Sequence, residues 1–235
     1  MQAGSLRNVR DVTTPRDGPV DSGPRRPLKS RQRQWARALA AWLGHHGVQP
    51  NRISMASVAF AGAGAAALVA LRYVGDPTRF ALLAASALCI QLRLLANLMD
   101  GLVAVEGGRR TRTGELFNEI PDRFADLLLL VAAGYSITWL SWGDALGWAA
   151  GVTAVLTAYV RVFGGALGAA QHFCGPMAKP QRMALLTAAC LLSMIEVVYG
   201  FEGHVLAVTL AVIAAGSLLT FARRLRLIAL ELAAR

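Results

Sequence analysis

The sequence FALLAASALCIQLRLLANLMDGLVAV, residues 80–105, is an apolar stretch long enough to cross a bilayer, and it carries polar side chains towards its end. A transmembrane helix needs roughly 20 predominantly apolar residues. Similar blocks flank it, and their predicted cores are 53–73, 116–140, 145–170, 182–199 and 204–222. The pattern predicts an all-α, polytopic membrane protein with six transmembrane helices.

The composition of the whole chain agrees with this fold class. Of the 235 residues, 55% are hydrophobic and 16% are charged, and the mean hydropathy is +0.45. A soluble domain has about 45–50% apolar and about 25% charged residues. The composition therefore excludes an ordinary soluble domain of this length.

The segments outside the apolar blocks divide the rest of the chain. Residues 1–30 are rich in Pro, Gly, Ser and Arg without periodicity, which predicts a disordered cytoplasmic tail. Residues 31–46, RQRQWARALAAWLGHH, predict an amphipathic interfacial helix on an anionic membrane surface; the alternative is a linker helix packed on the spans. Residues 47–225 form the predicted six-helix membrane domain, and residues 226–235 a cytoplasmic C-terminal tail.

The formal net charge of +10 is explained by membrane topology. Most Lys and Arg residues lie in the N-terminal segment through Arg52, in the second and fourth connecting loops and near the C-terminus. The loops on the opposite side and their flanks hold only Arg72 and Arg79. The positive-inside rule then places both termini in the cytoplasm, and the charge requires no nucleic-acid partner.

Small residues recur at four-residue spacing in the fourth predicted span. They are Gly143, Gly147 and Gly151 near its start, and Gly164 and Gly168 near its end. This spacing permits close approach of two helices in lipid. The sequence leaves open whether the partner is another helix of the same chain or a second copy.

Charged and amide side chains cluster where the second span ends and the third begins. Each charged group in a transmembrane segment costs at least ~2.5–3.5 kcal/mol, so such groups indicate a functional site. The second span contributes Arg93, Asn97, Asp100, Gly101 and Ala104; the third contributes Gly114, Glu115, Asn118, Glu119, Asp122, Arg123 and Asp126.

These polar positions share helix faces. At about 100° per residue, the five acidic and amide residues of the third span fall within an arc of roughly 100°. A short loop joins the two spans, so their polar faces can meet near the cytoplasmic surface. Oxygen ligands on facing helices suit a hard divalent cation, and paired ions can clamp a diphosphate. The alternative is a network of interhelical hydrogen bonds and salt bridges in which arginines neutralise the carboxylates.

The spacing resembles the signature of the CDP-alcohol phosphatidyltransferase family, Asp-x2-Asp-Gly-x2-Ala-Arg-x8-Gly-x3-Asp-x3-Asp. This chain has Asn97-x2-Asp100-Gly101-x2-Ala104-Val105-x8-Gly114-x3-Asn118-x3-Asp122. Every spacing agrees. A second element, Gly47 to Ser54 before the first span, also resembles the family, and the resemblance covers roughly residues 35–225.

The resemblance implies a metal-dependent transfer of a phosphatidyl group from a CDP-lipid, such as CDP-diacylglycerol, to a small alcohol or a lipid alcohol. It implies Mg²⁺ or Mn²⁺, in one or two ions, and a homodimer in a bacterial inner membrane rich in anionic lipids. The implied metal ligands are Asp100, Asp122, Asn97 and Asn118, with Asp126 as an additional ligand. Asp122, supported by Asp126, is the implied catalytic base, and Gly101, Ala104 and Gly114 face the nucleotide.

Three positions depart from the signature. Asn97 and Asn118 replace aspartates, which removes two negative charges from a two-metal site, and Val105 replaces the arginine. A neighbouring carboxylate, such as that of Asp126, can restore part of the charge. Alternatives are a catalytically impaired homologue that binds nucleotide or lipid and a small membrane transporter. A transporter would be expected to show internal repeats, and the acidic motif has no second copy.

Three basic residues are candidates for binding the acceptor or a phosphate. Arg161 is an intramembrane cation in the fourth span, for which the alternative is a salt bridge to a carboxylate of the third span. Lys179 and Arg182 open the fifth span from the cytoplasmic side, where topology alone also explains their charge.

Overall fold

The computed structural model describes residues 34–106, 114–201 and 203–235, and for residues 105, 106 and 114–118 it describes the backbone alone. Every regular element in these ranges is a helix. The helices are α1 (Gln34–His45), α2 (Pro50–Ala70), α3 (Asp76–Glu106), α4 (Gly114–Tyr135), α5 (Gly143–Ala166), α6 (Lys179–Val198) and α7 (His204–Ala233), with a 3-10 turn at Leu71–Tyr73 after α2. The predicted all-α class is confirmed.

Five of the helices are long and apolar enough to cross a membrane, namely α2 with its 3-10 turn, α3, α5, α6 and α7. The sixth predicted span corresponds to α4, whose first half contains Glu119, Asp122, Arg123 and Asp126. The described part of α4 is not among the five helices. Its second half is nevertheless central, because Leu129, Leu130 and Ala133 are fully buried.

The main core lies between helices α2 to α7. Leu68, Ile90, Leu129, Leu186 and Leu210, one from each of five helices, are fully buried there. In this bundle α4 packs against α2, α5 and α7, while α3 packs against α2 and α6. In the charged first half of α4, Asp126 is thereby buried between helices, whereas Glu119 and Phe124 keep exposed surface.

The glycine repeat of α5 packs against α4 within the same chain. A Cβ atom at Gly147 would lie 2.8 Å from the Cα of Gly134 and 2.9 Å from the carbonyl oxygen of Leu130. At the other end of α5, a Cβ at Gly164 would lie 2.5 Å from the Cδ1 of Ile228 in α7. Between the two alternatives left open by the sequence, internal packing is the one observed.

Helix α1 combines features of both alternatives for residues 31–46. Ala36 and Ala40 are buried in a small cluster with Ala96, Met99 and Val103 of α3. Trp35 and Trp42 are 50% and 56% exposed on the outer face. The helix is thus packed on the spans and also presents an amphipathic outer surface; its contact with a membrane stays a prediction.

The ends of two helices have local causes, and one end differs from the prediction. α1 ends at a Schellman-type turn in which Gly47 has a φ of 73° and Val48 donates to the Leu43 carbonyl at 3.1 Å. α2 begins with Pro50, which is well suited to a first helical position. α7 continues through Ala233, so most of the expected C-terminal tail, 226–235, is helical. The expected N-terminal tail, residues 1–30, lies outside the described residues.

Candidate functional site

The two halves of the polar motif meet where α3 faces α4. The Nδ2 of Asn97 donates to the Oδ1 of Asp122 at 2.6 Å. Both residues are half-buried. Pro121, which lacks an amide hydrogen, immediately precedes Asp122 inside α4 and removes one hydrogen bond of the helix there. The predicted convergence of the two polar faces is therefore observed.

A lysine from α6 completes the surroundings of Asp122. The Nζ of Lys179 lies 2.5 Å from the Oδ2 of Asp122. The Nη2 of Arg93 lies 3.4 Å from Oδ1 and donates to the main-chain oxygen of Asp122 at 3.2 Å. Both carboxylate oxygens thus have partners, one from an amide and a guanidinium and the other from an ammonium.

Deeper in the bundle, Asp126 is shared by two arginines. Its Oδ1 accepts from Arg93 at 2.6 Å and its Oδ2 accepts from Arg182 at 2.9 Å. All three side chains are at most 2% exposed. Because both oxygens are engaged, Asp126 serves here as the anion that holds Arg93 and Arg182, in a geometry unlike that of a free metal ligand or base.

Further contacts fix those two arginines. Arg182 also donates to the Met177 carbonyl at 3.0 Å and to the Thr157 hydroxyl at 3.3 Å. Arg93 lies 3.1 Å from the sulfur of Met183. Arg93, Asp126 and Arg182 thus form a buried network of hydrogen bonds and salt bridges that connects α3, α4, α5 and α6. This network stabilises the position of Lys179, one helical turn before Arg182.

Asp100 is placed by a contact with α2. Its Oδ2 accepts from the Ser54 hydroxyl at 2.5 Å, and Asp100 is 6% exposed. Ser54 belongs to the element before the first span that resembles the family. Gly101, beside Asp100, is buried, and Ala104 one turn later is half-buried. The side chain of Asn118 lies outside the described residues, and for Gly114 only the start of α4 is described.

Arg161 forms the salt bridge that the sequence left as an alternative. Its Nη2 lies 2.9 and 3.0 Å from the two carboxylate oxygens of Glu119, which Arg123 also contacts. The guanidinium also lies over the ring of Phe173, 5.0 Å from its centroid. Arg161 is thereby held at the loop that leads into α6, where its side chain remains 13% exposed.

Sequence reasoning assigned no role to three residues that the structure brings to this site. Arg93 and Ser54 contact the motif aspartates directly. Arg224 of α7 supports the adjoining loop by donating to the carbonyls of Cys174 and Thr157, at 2.9 and 2.7 Å. Two of them carried a signal in the sequence: Arg93 is an intramembrane cation one helical turn before Asn97, and Ser54 ends the element before the first span that resembles the family.

Among the described side chains at this site, five are cationic and four are acidic. The described carboxylates are those of Asp100, Glu119, Asp122 and Asp126; the cations are Arg93, Arg123, Arg161, Lys179 and Arg182. Glu119, Asp122 and Asp126 each form salt bridges with cations of this set. A ligand carrying phosphate groups would therefore enter an electropositive environment.

The donor set fits one divalent cation better than two. Carboxylate and amide oxygens suit Mg²⁺ or Mn²⁺, and such a cation would find them on facing helices in Asp100, Asp122 and the amide oxygen of Asn97. Two ions would bring four positive charges beside Lys179 and Arg93. Among the described side chains, no three from His, Cys, Asp and Glu are grouped so as to hold a metal. A cation at this site would therefore also need amide oxygens, such as that of Asn97.

Comparisons with known proteins extend the fold assignment. No protein-family model matches the chain, and no curated protein matches it by sequence. The phosphatidylinositol phosphate synthase of Mycobacterium tuberculosis with CDP-DAG bound is similar in structure, with a TM-score of 0.67 and 20% identity over 83% of this chain and 94% of that chain. The same enzyme with manganese and citrate has a TM-score of 0.64 and 20% identity, covering 82% and 88%.

The apo form of that synthase gives a TM-score of 0.59 and 21% identity, covering 80% of this chain and 93% of that chain. The chain thus has the fold of a phosphatidylinositol phosphate synthase over most of both lengths. This confirms, at the level of the fold, the resemblance found in the sequence. With its five apolar helices, the chain is an integral multi-pass membrane protein.

Proposed function

We propose that this chain is a CDP-alcohol phosphatidyltransferase, which transfers a phosphatidyl group from a CDP-lipid such as CDP-diacylglycerol to an acceptor alcohol and releases CMP. The reaction belongs to phospholipid biosynthesis. One observation carries the proposal: the two halves of the motif meet through Asn97 and Asp122, 2.6 Å apart, in the fold of a synthase solved with CDP-DAG bound.

The proposed chemistry assigns the proton transfer to Asp122. The acceptor hydroxyl attacks the β-phosphorus, a new P–O bond forms, and the bond to the bridging oxygen breaks with its electron pair leaving on CMP. Asp122 takes the hydroxyl proton as general base. Since Lys179 pairs with Asp122 in the structure, a phosphate that attracts Lys179 would free the carboxylate for this role.

A divalent cation would be held by Asp100 and Asp122, with amide oxygens from Asn97 and Asn118. Bound there, Mg²⁺ or Mn²⁺ supplies positive charge to the diphosphate. Gly101, Ala104 and Gly114 would leave space for the nucleotide. The chain's own residues provide the remaining orientation, because most catalysis of this type comes from positioning and charge stabilisation.

Of the three basic candidates, two have access to a ligand. The side chains of Lys179 and Arg161 are 21% and 13% exposed, whereas that of Arg182 is 2% exposed and engaged by Asp126, Met177 and Thr157. We therefore propose Lys179 and Arg161 as contacts for the phosphate of the donor or acceptor. Arg182 positions Lys179 from the next turn of α6.

The cellular setting is part of the proposal. The distribution of basic residues supports cytoplasmic termini, and the exposed tryptophans of α1 suit a surface of anionic lipids. A homodimer in a bacterial inner membrane follows from the family resemblance, as does an acceptor that is a small alcohol or a lipid alcohol. Nucleic acid is not among the proposed partners.

A second candidate function is a homologue that binds nucleotide or lipid without turnover. The specific observation in its favour is that both oxygens of Asp122 already have partners, including the ammonium of Lys179. Such a protein would retain the fold and the nucleotide contacts. It would differ from the enzyme in binding CMP or CDP-diacylglycerol without metal-dependent release of CMP.

The test is CMP release from CDP-diacylglycerol by purified protein in detergent, with Mg²⁺ or Mn²⁺ and a pool of alcohols that includes phosphorylated ones. Asp122→Asn is the matched variant, since it keeps the size of the side chain and removes the base. We expect metal-dependent release that falls at least about 100-fold in the variant, the usual contribution of a general base. Binding of CDP-diacylglycerol without release across the pool would instead favour the binding protein.

A further inference from the structure

The contact between Asn97 and Asp122 is one that two carboxylates would not make alone. In the family signature an aspartate occupies position 97, and here the Asn97 Nδ2 donates to Asp122 at 2.6 Å. Two carboxylates at such a distance repel and need a proton or a cation between them. The Asn97 amide hydrogen instead bridges α3 and α4 directly, so neither an added proton nor a cation is needed.

The other carboxylate oxygen of Asp122 contacts an ammonium group. In a two-metal site this oxygen would be available to a metal ion. The Nζ of Lys179 lies 2.5 Å from Oδ2. The Nη2 of Arg93 adds a second cationic contact at 3.4 Å from Oδ1. The negative charge of Asp122 is therefore balanced by the chain itself.

Lys179 is held where it can meet both Asp122 and a ligand. It is the first residue of α6, directly before Pro180, and its side chain is 21% exposed. Arg182, three residues later, is anchored on Asp126 at 2.9 Å and on the Met177 carbonyl at 3.0 Å. The backbone of this turn is thus fixed while the lysine side chain keeps access to the site.

We propose that Asn97 and Lys179 together take the place of one of two divalent cations, so that the site binds a single ion and the Lys179 ammonium contacts a ligand phosphate directly. The inference rests on the proposed function and deepens it. Asparagine in place of the signature aspartate at position 97 removes one negative charge. Lys179 adds one positive charge, and together the two changes replace the charge of the second ion.

The measurement is the number of Mn²⁺ ions bound per chain, counted by electron paramagnetic resonance on chelator-treated protein in detergent, with and without CDP. We expect one ion for the wild type and two for Asn97→Asp combined with Lys179→Met. Thr78→Asp is the matched control, because it adds one carboxylate to α3 at an exposed position in its first turn. This control should bind one ion.

Two results would overturn the inference: two ions in the wild type, or a count that the double variant leaves unchanged. Should the double variant fail to fold, Asn97→Asp alone gives the answer. It should bind its second Mn²⁺ about tenfold more weakly than its first, since the ammonium still faces Asp122. A single ion at every Mn²⁺ concentration in that variant would overturn the inference as well.

The ion count and CMP release separate this inference from the proposed function. If the wild type binds two ions and releases CMP, Asn97 and Lys179 do not replace an ion, but the proposed transferase activity is retained. A wild type that binds one ion, and CDP, without releasing CMP would refute the transferase and leave the replacement of an ion standing.

Discussion

At the scale of single residues, Asp126 is a buried carboxylate one helical turn beyond the motif. The sequence predicts it as an additional metal ligand and a supporting catalytic group, and this stays a prediction. In the structure it is 1% exposed, with each carboxylate oxygen bound to a different arginine. Its charge is used to hold Arg93 and Arg182 in the interior, and these residues in turn position Asp122 and Lys179.

Asp126→Asn is expected to destabilise the protein because it leaves two buried guanidinium groups without their shared anion. Removing one partner of a buried ion pair typically costs about 3–5 kcal/mol. Thermal unfolding in detergent would show the loss as a lower melting temperature. Asp144→Asn is the control, since Asp144 is exposed at the start of α5.

An unchanged melting temperature in Asp126→Asn would contradict the conclusion that Asp126 stabilises the fold by holding Arg93 and Arg182. Loss of CMP release without any loss of stability would support the original interpretation of Asp126 as a direct participant in the chemistry.

At the scale of elements, α4 and α5 approach each other backbone to backbone through two glycines. Gly134 and Gly147 face each other, and a Cβ at Gly134 would lie 2.6 Å from the Cα of Gly147. This proximity brings the start of α5 against the second half of α4. The charged first half of α4 is then aligned beside Arg161 near the other end of α5.

Gly147→Ala is expected to lower stability, because its Cβ would meet the backbone of α4 at three atoms within 3.0 Å. Overpacking of this kind typically costs about 1–3 kcal/mol. Gly62→Ala in α2 is the control, since a Cβ there has nothing within 4 Å, and alanine favours the helix. The two melting temperatures should move in opposite directions.

The same pair of variants tests the alternative partner of the glycine repeat. A Gly147→Ala protein that keeps its melting temperature but changes from dimer to monomer in detergent would show that this face of α5 meets a second copy.

At the scale of the whole molecule, α7 attaches the loop that leads into the site. A helix of 30 residues is about 45 Å long, which exceeds the roughly 30 Å of the hydrocarbon core. Near its C-terminal end Glu231 accepts from the Ala170 amide at 3.0 Å and lies 3.1 Å from the Nε2 of His172. About three turns earlier in α7, the Thr220 hydroxyl accepts a hydrogen bond from the Met177 amide at 3.0 Å.

These two attachments should be separable by hydrogen exchange. Glu231→Ala is expected to raise the exchange rate of the Ala170 amide and to leave the Met177 amide protected, because each amide loses only its own acceptor. Thr220→Val, which keeps the side-chain shape, should reverse the pattern. Equal exposure of both amides in either variant would mean that residues 167–178 open as a unit.

Local patterns in the sequence were enough to predict three features of this protein. The length of the apolar blocks predicted the helices, and the placement of basic residues predicted the cytoplasmic side. Motif spacing across one short loop predicted that the polar faces carrying Asn97 and Asp122 meet. The tertiary structure decided the partners of each charge. Asp126 pairs with Arg182 and Asp122 with Lys179, each more than 50 residues away. Within the chain, Gly147 of α5 packs on α4 and Gly164 packs on α7. The physical reason is that helical periodicity specifies which side chains share a face, whereas the helix that covers this face is set by packing of the whole bundle, which no local spacing encodes.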